Sequence, residues 1–200
     1  MNILDTRVYQ WLERATDFFL LNLLWLLACV PVVTIFPSTA AMFGVVRDWS
    51  RGKEAGVLGA FVLRFRQNFR QSLAVGVLWA LFGGALFLDF LIANGLPPDP
   101  QVVMRFLLVL ASVLYVLASG FLFPVMVHYD TRWTVVPKNA LLLAVGRLPI
   151  ALLCLTIAVA AAAVTFFVPL LLVATPSVVA YAVYGLCDRE FGKIDESSDR

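Results

Sequence analysis

Four long windows of this sequence contain no Asp, Glu, Lys or Arg, and together they cover more than half of its 200 residues. Apolar runs of about 18 residues or more are typical of membrane-spanning helices. Charged residues make up only 14% of the chain, against roughly 25% in an average soluble domain, so the polar shell of a globule is missing. The windows therefore predict an all-α, multi-pass membrane protein. They exclude a soluble enzyme and a disordered chain, and the net charge of +2 is too small for a nucleic-acid partner.

The lengths of the windows set the number of helices, because about 20 helical residues cross the roughly 30 Å hydrocarbon core. Windows 71–88 and 106–129 each fit one span. Window 148–187 is about twice as long, and Pro169 and Pro176 divide it into two segments. The last three windows therefore predict four hydrophobic helical segments.

The first window allows two arrangements, because Pro31 and Pro37 interrupt it near its centre. In one arrangement 16–36 is a single span, and the chain has five full spans. In the other, 16–32 and 36–50 form a tight hairpin with a short second arm, and the chain has six hydrophobic segments. The distribution of basic residues favours the hairpin, since it places every Lys and Arg except Arg105 on the cytoplasmic side.

The hairpin arrangement also fixes the expected topology, with both ends of the chain in the cytoplasm. We divide the chain into an N-terminal amphipathic segment (1–15), a single helical transmembrane domain (16–188) and a polar cytoplasmic tail (189–200). A short amphipathic helix is expected to begin near Pro137, before the fifth segment.

A second interfacial helix is expected over residues 59–73, before the segment of window 71–88. Its three phenylalanines recur every four residues and share one face, while arginine and amide side chains cover much of the rest. Such a helix lies in the cytoplasmic interface, where it anchors the topology or docks a partner. The residues to which we assign partner or lipid docking are Phe61, Arg64, Phe65, Asn68, Phe69 and Arg70.

Small residues recur at every fourth position in the segment that follows. Ser72, Gly76, Ala80 and Gly84 form a stripe that lets another helix approach closely. Two uses of this stripe are open, namely packing within the monomer and a seam between copies in a homo-oligomer.

Polar residues are few inside the predicted spans, and no Asp, Glu, Lys or Arg lies at a span centre. This argues against the hypothesis of proton- or ion-coupled transport, which usually needs ionisable groups at mid-membrane. The broken first window supplies the candidates for a pore lining or a helix break, namely Asn22, Pro31, Thr34 and Pro37.

Catalytic and metal-binding patterns are missing from the sequence. His128 is the single histidine, and no nucleophile elbow, zinc-protease motif or phosphate-binding glycine loop is present. The three cysteines have no metal-ligand spacing. We therefore expect a protein that is not an enzyme, with no catalytic residues, cofactor or metal.

Several stretches of the chain resemble one known family. They are NLLWLLACVPVVTIFPSTAA at 22–41, RGKE at 51–54, FRQNFRQ at 65–71, FP at 123–124 and KNAL at 138–141. With these stretches the chain is similar to the YesL family of bacterial integral membrane proteins, over about residues 15–188. Phe36 departs from the family pattern, which usually has glycine before this proline.

The resemblance implies a location in the bacterial inner membrane and a domain of undetermined activity. Members tend to be encoded beside sugar ABC transporters, carbohydrate-active enzymes and sensor kinases. We therefore expect a non-enzymatic accessory protein of carbohydrate uptake or sensing, which binds the lipid bilayer and an ABC transporter permease subunit or a sensor kinase. The alternative is a small-solute transporter or channel.

Overall fold

The computed structural model describes residues 3–53, 56–95, 97–129 and 132–198, and every regular element within them is helical. Short 3₁₀ turns, Val32–Thr34 and Pro169–Val173, follow the first and sixth helices. The α-helices are α1 (Ile3–Ala28), α2 (Ile35–Ser50), α3 (Val57–Ala93), α4 (Pro98–Tyr129), α5 (Val136–Gly146), α6 (Leu148–Phe167) and α7 (Thr175–Ser198).

The predicted all-α class is confirmed. The six predicted hydrophobic segments, with five full spans as the alternative, are not confirmed as a number of membrane spans. Each of the six hydrophobic segments is helical, but in the described residues only α3, α4 and α6 are long and apolar enough to cross a membrane. A short helix begins near Pro137 as predicted, namely α5, but it is apolar and not amphipathic as expected.

The turn between α1 and α2 lies partway along α3 and leaves α2, with its 16 residues, too short for a full span. Helix α1 has 26 residues, but its first half carries several charged residues. The ring of Phe36, in the first turn of α2, packs on Gly76, which lies near the middle of α3. The turn therefore stops well before the far end of α3. Ten of the sixteen residues of α2 are buried, because α1, α3, α4 and α7 all contact this helix.

The chain divides at Pro31, as the hairpin arrangement predicts and the single-span arrangement does not. Helix α1 ends at Ala28, and the carbonyl oxygens of Ala28 and Pro31 each lie 2.6 Å from the hydroxyl of Thr34, which shares its one proton between them. The carbonyl of Ala28 thereby gains a donor that the end of a helix does not supply. Pro37 then lies in the first turn of α2, where proline is tolerated.

The prediction of a separate interfacial helix over 59–73 is wrong, because these residues are part of α3. This helix runs unbroken for 37 residues, a length of about 55 Å. No proline interrupts 57–93, and the amphipathic stretch simply continues the apolar one. Residues 57–70 therefore extend the apolar helix by about 21 Å.

The basic parts of the chain gather at one end of the bundle, which we call the basic end. Arg47 of α2 donates to the carbonyl oxygen of His128, 3.2 Å away at the end of α4. The imidazole Nδ1 of His128 lies 3.5 Å from a carboxylate oxygen of Asp188 on α7. Arg147, between α5 and α6, lies 3.1 Å from the carboxylate of Glu190.

Helix α7 continues past residue 188, where the polar tail was expected to begin. Phe191 is fully buried, and Glu190 is also buried. Lys193 donates to Glu190 over 2.6 Å, and this hydrogen bond lowers the pKa of the Glu190 carboxyl, although burial acts in the opposite direction. The first residues of the expected tail therefore pack against the bundle.

We predict that Gly76→Ala lowers the free energy of unfolding by about 2 kcal/mol, as overpacking of a close contact does. A Cβ at this position would lie only 2.1 Å from Cγ of Phe36. Unfolding of the purified protein by SDS in mixed micelles, followed by tryptophan fluorescence, measures the loss. Adding Phe36→Ala to Gly76→Ala should restore part of it, because the smaller side chain frees the space.

Gly84→Ala is the matched control, because no atom beyond its own turn lies within 4 Å of the added Cβ in the described residues. Its stability should stay level or rise slightly, since alanine favours helix more than glycine does. Equal losses from the two glycine variants would contradict the assigned contact.

Candidate functional site: a basic cavity and the outer stripe of α3

An ion pair joins α2 to α3 at the basic end. Arg64 Nε and Nη2 lie 2.9 Å and 2.7 Å from the two carboxylate oxygens of Asp48. The side chain of Asp48 is 9% exposed and that of Arg64 is 20% exposed. The stem of Arg64 lies directly on Gly44, where an added Cβ would meet three of its carbons at 3.0–3.1 Å. Gly44 thus provides the space in which the guanidinium reaches Asp48 in a bidentate pair.

A partly enclosed cavity of about 340 Å³ lies beside this pair, between α2, α3 and α4. Most of its lining is polar and comes from side chains with hydrogen-bond donors. The lining residues are Gly44, Arg47, Arg64, Gln67, Asn68, Met126 and Val127.

Of the two arginines that line this cavity, Arg47 has fewer hydrogen bonds in the described residues than Arg64. Its Nη2 donates to the carbonyl of His128, whereas its Nε is buried and has no hydrogen-bond partner in the described part of the chain. Burial lowers the pKa of the Arg47 guanidinium, and the neighbouring charges of Arg51 and Arg64 lower it further. The protein therefore holds a positive charge in a place that disfavours it.

An exposed apolar stripe lies on another face of the same part of α3. Leu58, Val62, Phe65 and Phe69 follow one another at helical spacing, and we call them the outer stripe. Leu58 is 56% exposed and Val62 is 46% exposed, while the rings of Phe65 and Phe69 lie 5.4 Å apart and are half-buried.

Two arginines border the outer stripe. Arg66 and Arg70 are exposed, and with Phe65, Gln67 and Phe69 they line a surface cavity of about 350 Å³. The stripe therefore combines apolar area with positive charge at its edge.

The six residues assigned to docking divide between these two surfaces. Arg64 and Asn68 line the basic cavity, whereas Phe65, Phe69 and Arg70 lie at the outer stripe. Phe61 is buried in the core and stacks on Phe65 with ring centres 6.2 Å apart.

The stripe of small residues also divides. Ser72 and Gly76 are buried, and Gly76 contacts α2 through Phe36. Ala80 and Gly84 are exposed. The first half of the stripe thus packs within the monomer, and the second half faces away from the other described helices.

Asn22 is a buried junction between α1 and the start of α7. Its amide nitrogen donates to the carbonyl of Ala174 at 2.9 Å and to the hydroxyl of Ser177 at 2.7 Å. Its carbonyl oxygen accepts the backbone N–H of Ser177 at 2.8 Å. Asn22 thus caps the first turn of α7 from another helix, and Thr34 caps the end of α1. Thr34 thus lies at the break after α1 and Asn22 contacts the break before α7, while a pore-lining role of either residue stays a prediction.

The larger cavity at membrane depth is apolar. It measures about 540 Å³ and lies between α2, α6 and α7, with Ala158, Ala161 and Ala162 along one side. Within the described ranges, no three His, Cys, Asp or Glu side chains form a group that could hold a metal ion.

One feature of the sequence, the isolated Asp48, indicates an ion pair beside the basic cavity and was not among the predicted site residues. Asp48 is the only acidic residue between Asp17 and Glu54, and it stands beside Arg47 in a basic stretch. An isolated carboxylate among arginines at the end of an apolar segment indicates an ion pair. The position of Arg47 depends on the approach of α4, for which the sequence has no local signal.

Comparison with known proteins places the chain among uncharacterized relatives. The family described as "Protein of unknown function, DUF624" matches residues 18–90. Uncharacterized protein YteU of Bacillus subtilis (strain 168) is 32% identical over 160 residues, which are 77% of this chain and 69% of YteU. Uncharacterized protein YesL of the same strain is 29% identical over 185 residues, 90% of this chain and 87% of YesL. No solved structure matches the chain.

Proposed function

Because this chain belongs to the YesL-like family of uncharacterized proteins, we propose that it is a non-enzymatic accessory protein of the bacterial inner membrane. It serves carbohydrate uptake or sensing and binds the permease subunit of a sugar ABC transporter, with a sensor kinase as the other partner to be tested. The outer stripe of α3 is the observation that carries this proposal.

The chemistry of the outer stripe defines what the partner must present. Leu58, Val62, Phe65 and Phe69 offer the apolar side of a helix, which suits an amphipathic partner segment. Arg66 and Arg70 stand at its edge, so acidic residues beside the apolar ones of the partner add favourable charge. An amphipathic, acidic cytoplasmic segment of the permease is the occupant that we propose.

The orientation that we propose places the basic end, and with it the outer stripe, in the cytoplasm. Positively charged loops are retained on that side of the membrane. The C-terminus then lies in the cytoplasm as well, because α7 ends at the basic end. The length of α3 supports this arrangement, since residues 57–70 extend beyond its apolar part.

The predicted result for the double variant Phe65→Ser, Phe69→Ser is an about tenfold drop in co-purified permease, because hot-spot aromatics carry much of the binding energy of an interface. The experiment co-expresses the tagged chain with the permease subunits of a sugar ABC transporter from the same bacterium and measures the recovered stoichiometry in mild detergent. The same assay is run with a sensor kinase of that bacterium.

Phe166→Ser, Phe167→Ser is the control, because it makes the same change in two phenylalanines away from the outer stripe. Phe166 and Phe167 are exposed at the end of α6 that is remote from Arg147, whereas Phe65 and Phe69 are half-buried. The control should leave permease recovery unchanged. The proposal is wrong if the permease is absent from the wild-type preparation, or if both double variants retain it equally. If only the sensor kinase is recovered with the chain, the kinase and not the permease is the partner.

A further inference from the structure

The cavity between α2, α3 and α4 has the composition of an anion site. Its polar lining consists of two arginines and two side-chain amides. Arginine is the side chain best suited to binding phosphate oxygens through several hydrogen bonds at once. Its volume of about 340 Å³ lies at the lower end of the range for small-molecule pockets, roughly 300–1,000 Å³.

In the described part of the chain, Asp48 does not balance the positive charge of the four basic side chains near this cavity, which are Arg47, Arg51, Lys53 and Arg64. Asp48 already accepts from Arg64 and lies 3.6 Å from the ammonium of Lys53. Arg47 has a buried Nε without a partner in the residues described, and Arg51 adds a further repulsive charge. A bound anion would satisfy the Nε of Arg47 and relieve the repulsion between these cations.

The position of the cavity relative to the membrane surface indicates which class of anion it binds. Arg47, Arg64 and Asn68 lie just beyond the charge-free windows 18–46 and 71–88, and Met126 and Val127 stand at the end of another window. This is the level at which lipid phosphates meet basic side chains. We infer that the cavity binds a phosphate-bearing anion, held by Arg47, Arg64, Gln67 and Asn68.

The phosphate can come from an anionic phospholipid or from a soluble phosphorylated solute, and the test separates these sources. The full chain in neutral detergent is titrated with inorganic phosphate, glycerol 3-phosphate or short-chain phosphatidylglycerol. Sodium chloride at matched ionic strength and the corresponding diacylglycerol are the references. The unfolding temperature should rise by several degrees and saturate, because a ligand that binds only the folded state stabilises it.

The pattern of these rises identifies the source. If inorganic phosphate and glycerol 3-phosphate raise the unfolding temperature, the site binds a soluble phosphorylated compound. A rise with phosphatidylglycerol alone, and not with diacylglycerol, assigns it to a lipid headgroup. Unfolding temperatures that match the references with all three additives would overturn the inference.

Variants connect the effect to the cavity. Arg47→Gln should weaken the apparent affinity about tenfold, because it removes a charge-assisted donor. Asn68→Leu should also weaken it, and this variant leaves the Arg64–Asp48 pair in place. Arg189→Gln is the matched control, because it removes an exposed charge on α7 at the same end and should leave affinity unchanged.

These variants also keep the inference separate from the docking proposal. If both cavity variants bind like wild type, or if Arg189→Gln weakens binding as much as they do, the cavity is not the site. Phe65→Ser, Phe69→Ser alters the outer stripe and leaves the lining residues of the cavity unchanged. Anion binding is therefore expected to persist in that variant.

Discussion

Asp48→Ala is expected to lower the free energy of unfolding by about 3 kcal/mol, the lower end of the cost of removing one member of a buried ion pair. The variant leaves the guanidinium of Arg64 without the two carboxylate oxygens that it now reaches at 2.9 Å and 2.7 Å. The expected cost is at the lower end because the side chain of Arg64 is 20% exposed. Water can therefore replace some of the hydrogen bonds that the guanidinium loses. Unfolding by SDS in mixed micelles, without added phosphate, measures the change.

A double variant distinguishes loss of the ion pair from loss of packing. Asp48→Leu combined with Arg64→Met removes both charges, and we expect a loss of only about 1 kcal/mol, since apolar replacement of a whole buried pair is often tolerated. Glu13→Ala removes an exposed carboxylate from α1 and should change stability by less than about 0.5 kcal/mol. Equal stability of Asp48→Ala and Glu13→Ala would show that the pair contributes nothing.

Asn22→Leu is expected to cost a similar amount, about 3 kcal/mol, because it leaves two backbone groups unsatisfied in a buried place. The carbonyl of Ala174 loses a donor and the N–H of Ser177 loses its acceptor. The same SDS titration measures this loss. Proteolysis near the start of α7 should also become faster, because the turn before it loses its attachment to α1.

Ser177→Ala is the graded comparison for Asn22→Leu. It removes the hydroxyl but keeps the backbone N–H bond to Asn22, so about 1 kcal/mol is the expected loss. Thr156→Val is the control, because the hydroxyl of Thr156 is exposed on α6 and bonds only to Leu152 of its own helix in the described contacts. A stability of Asn22→Leu equal to that of Thr156→Val would contradict the assigned junction.

The prolines made the helix breaks predictable, because proline removes a backbone donor and clashes with the preceding turn. Pro31 and Pro169 mark the helix breaks inside the first and the last charge-free windows, just after α1 and α6 end. The continuity of α3 was not predictable from amphipathicity alone. A change from a polar to an apolar surface at residue 71 alters what surrounds a helix, and it does not interrupt its backbone hydrogen bonds.

The candidate site was predictable only in part, because half of it comes from distant segments. The sequence indicated Arg64 and Asn68 through the pattern of one helix. Arg47 and Met126 reach the same cavity from α2 and α4, and such a meeting depends on tertiary packing. The predicted number of membrane spans is not confirmed for a related reason. Neighbouring helices shield α2, and a helix buried in protein does not need the length that lipid demands.

The burial of α2 bears on the order in which the protein can be made. Helices α4 and α7, which cover part of α2, follow it along the chain and are therefore synthesised later. Until they arrive, α2 lacks part of the protein surface that it contacts in the finished bundle. The packing of α2 is thus complete only after α7 has been made. A stop codon before α7 should yield degradation rather than a smaller working protein.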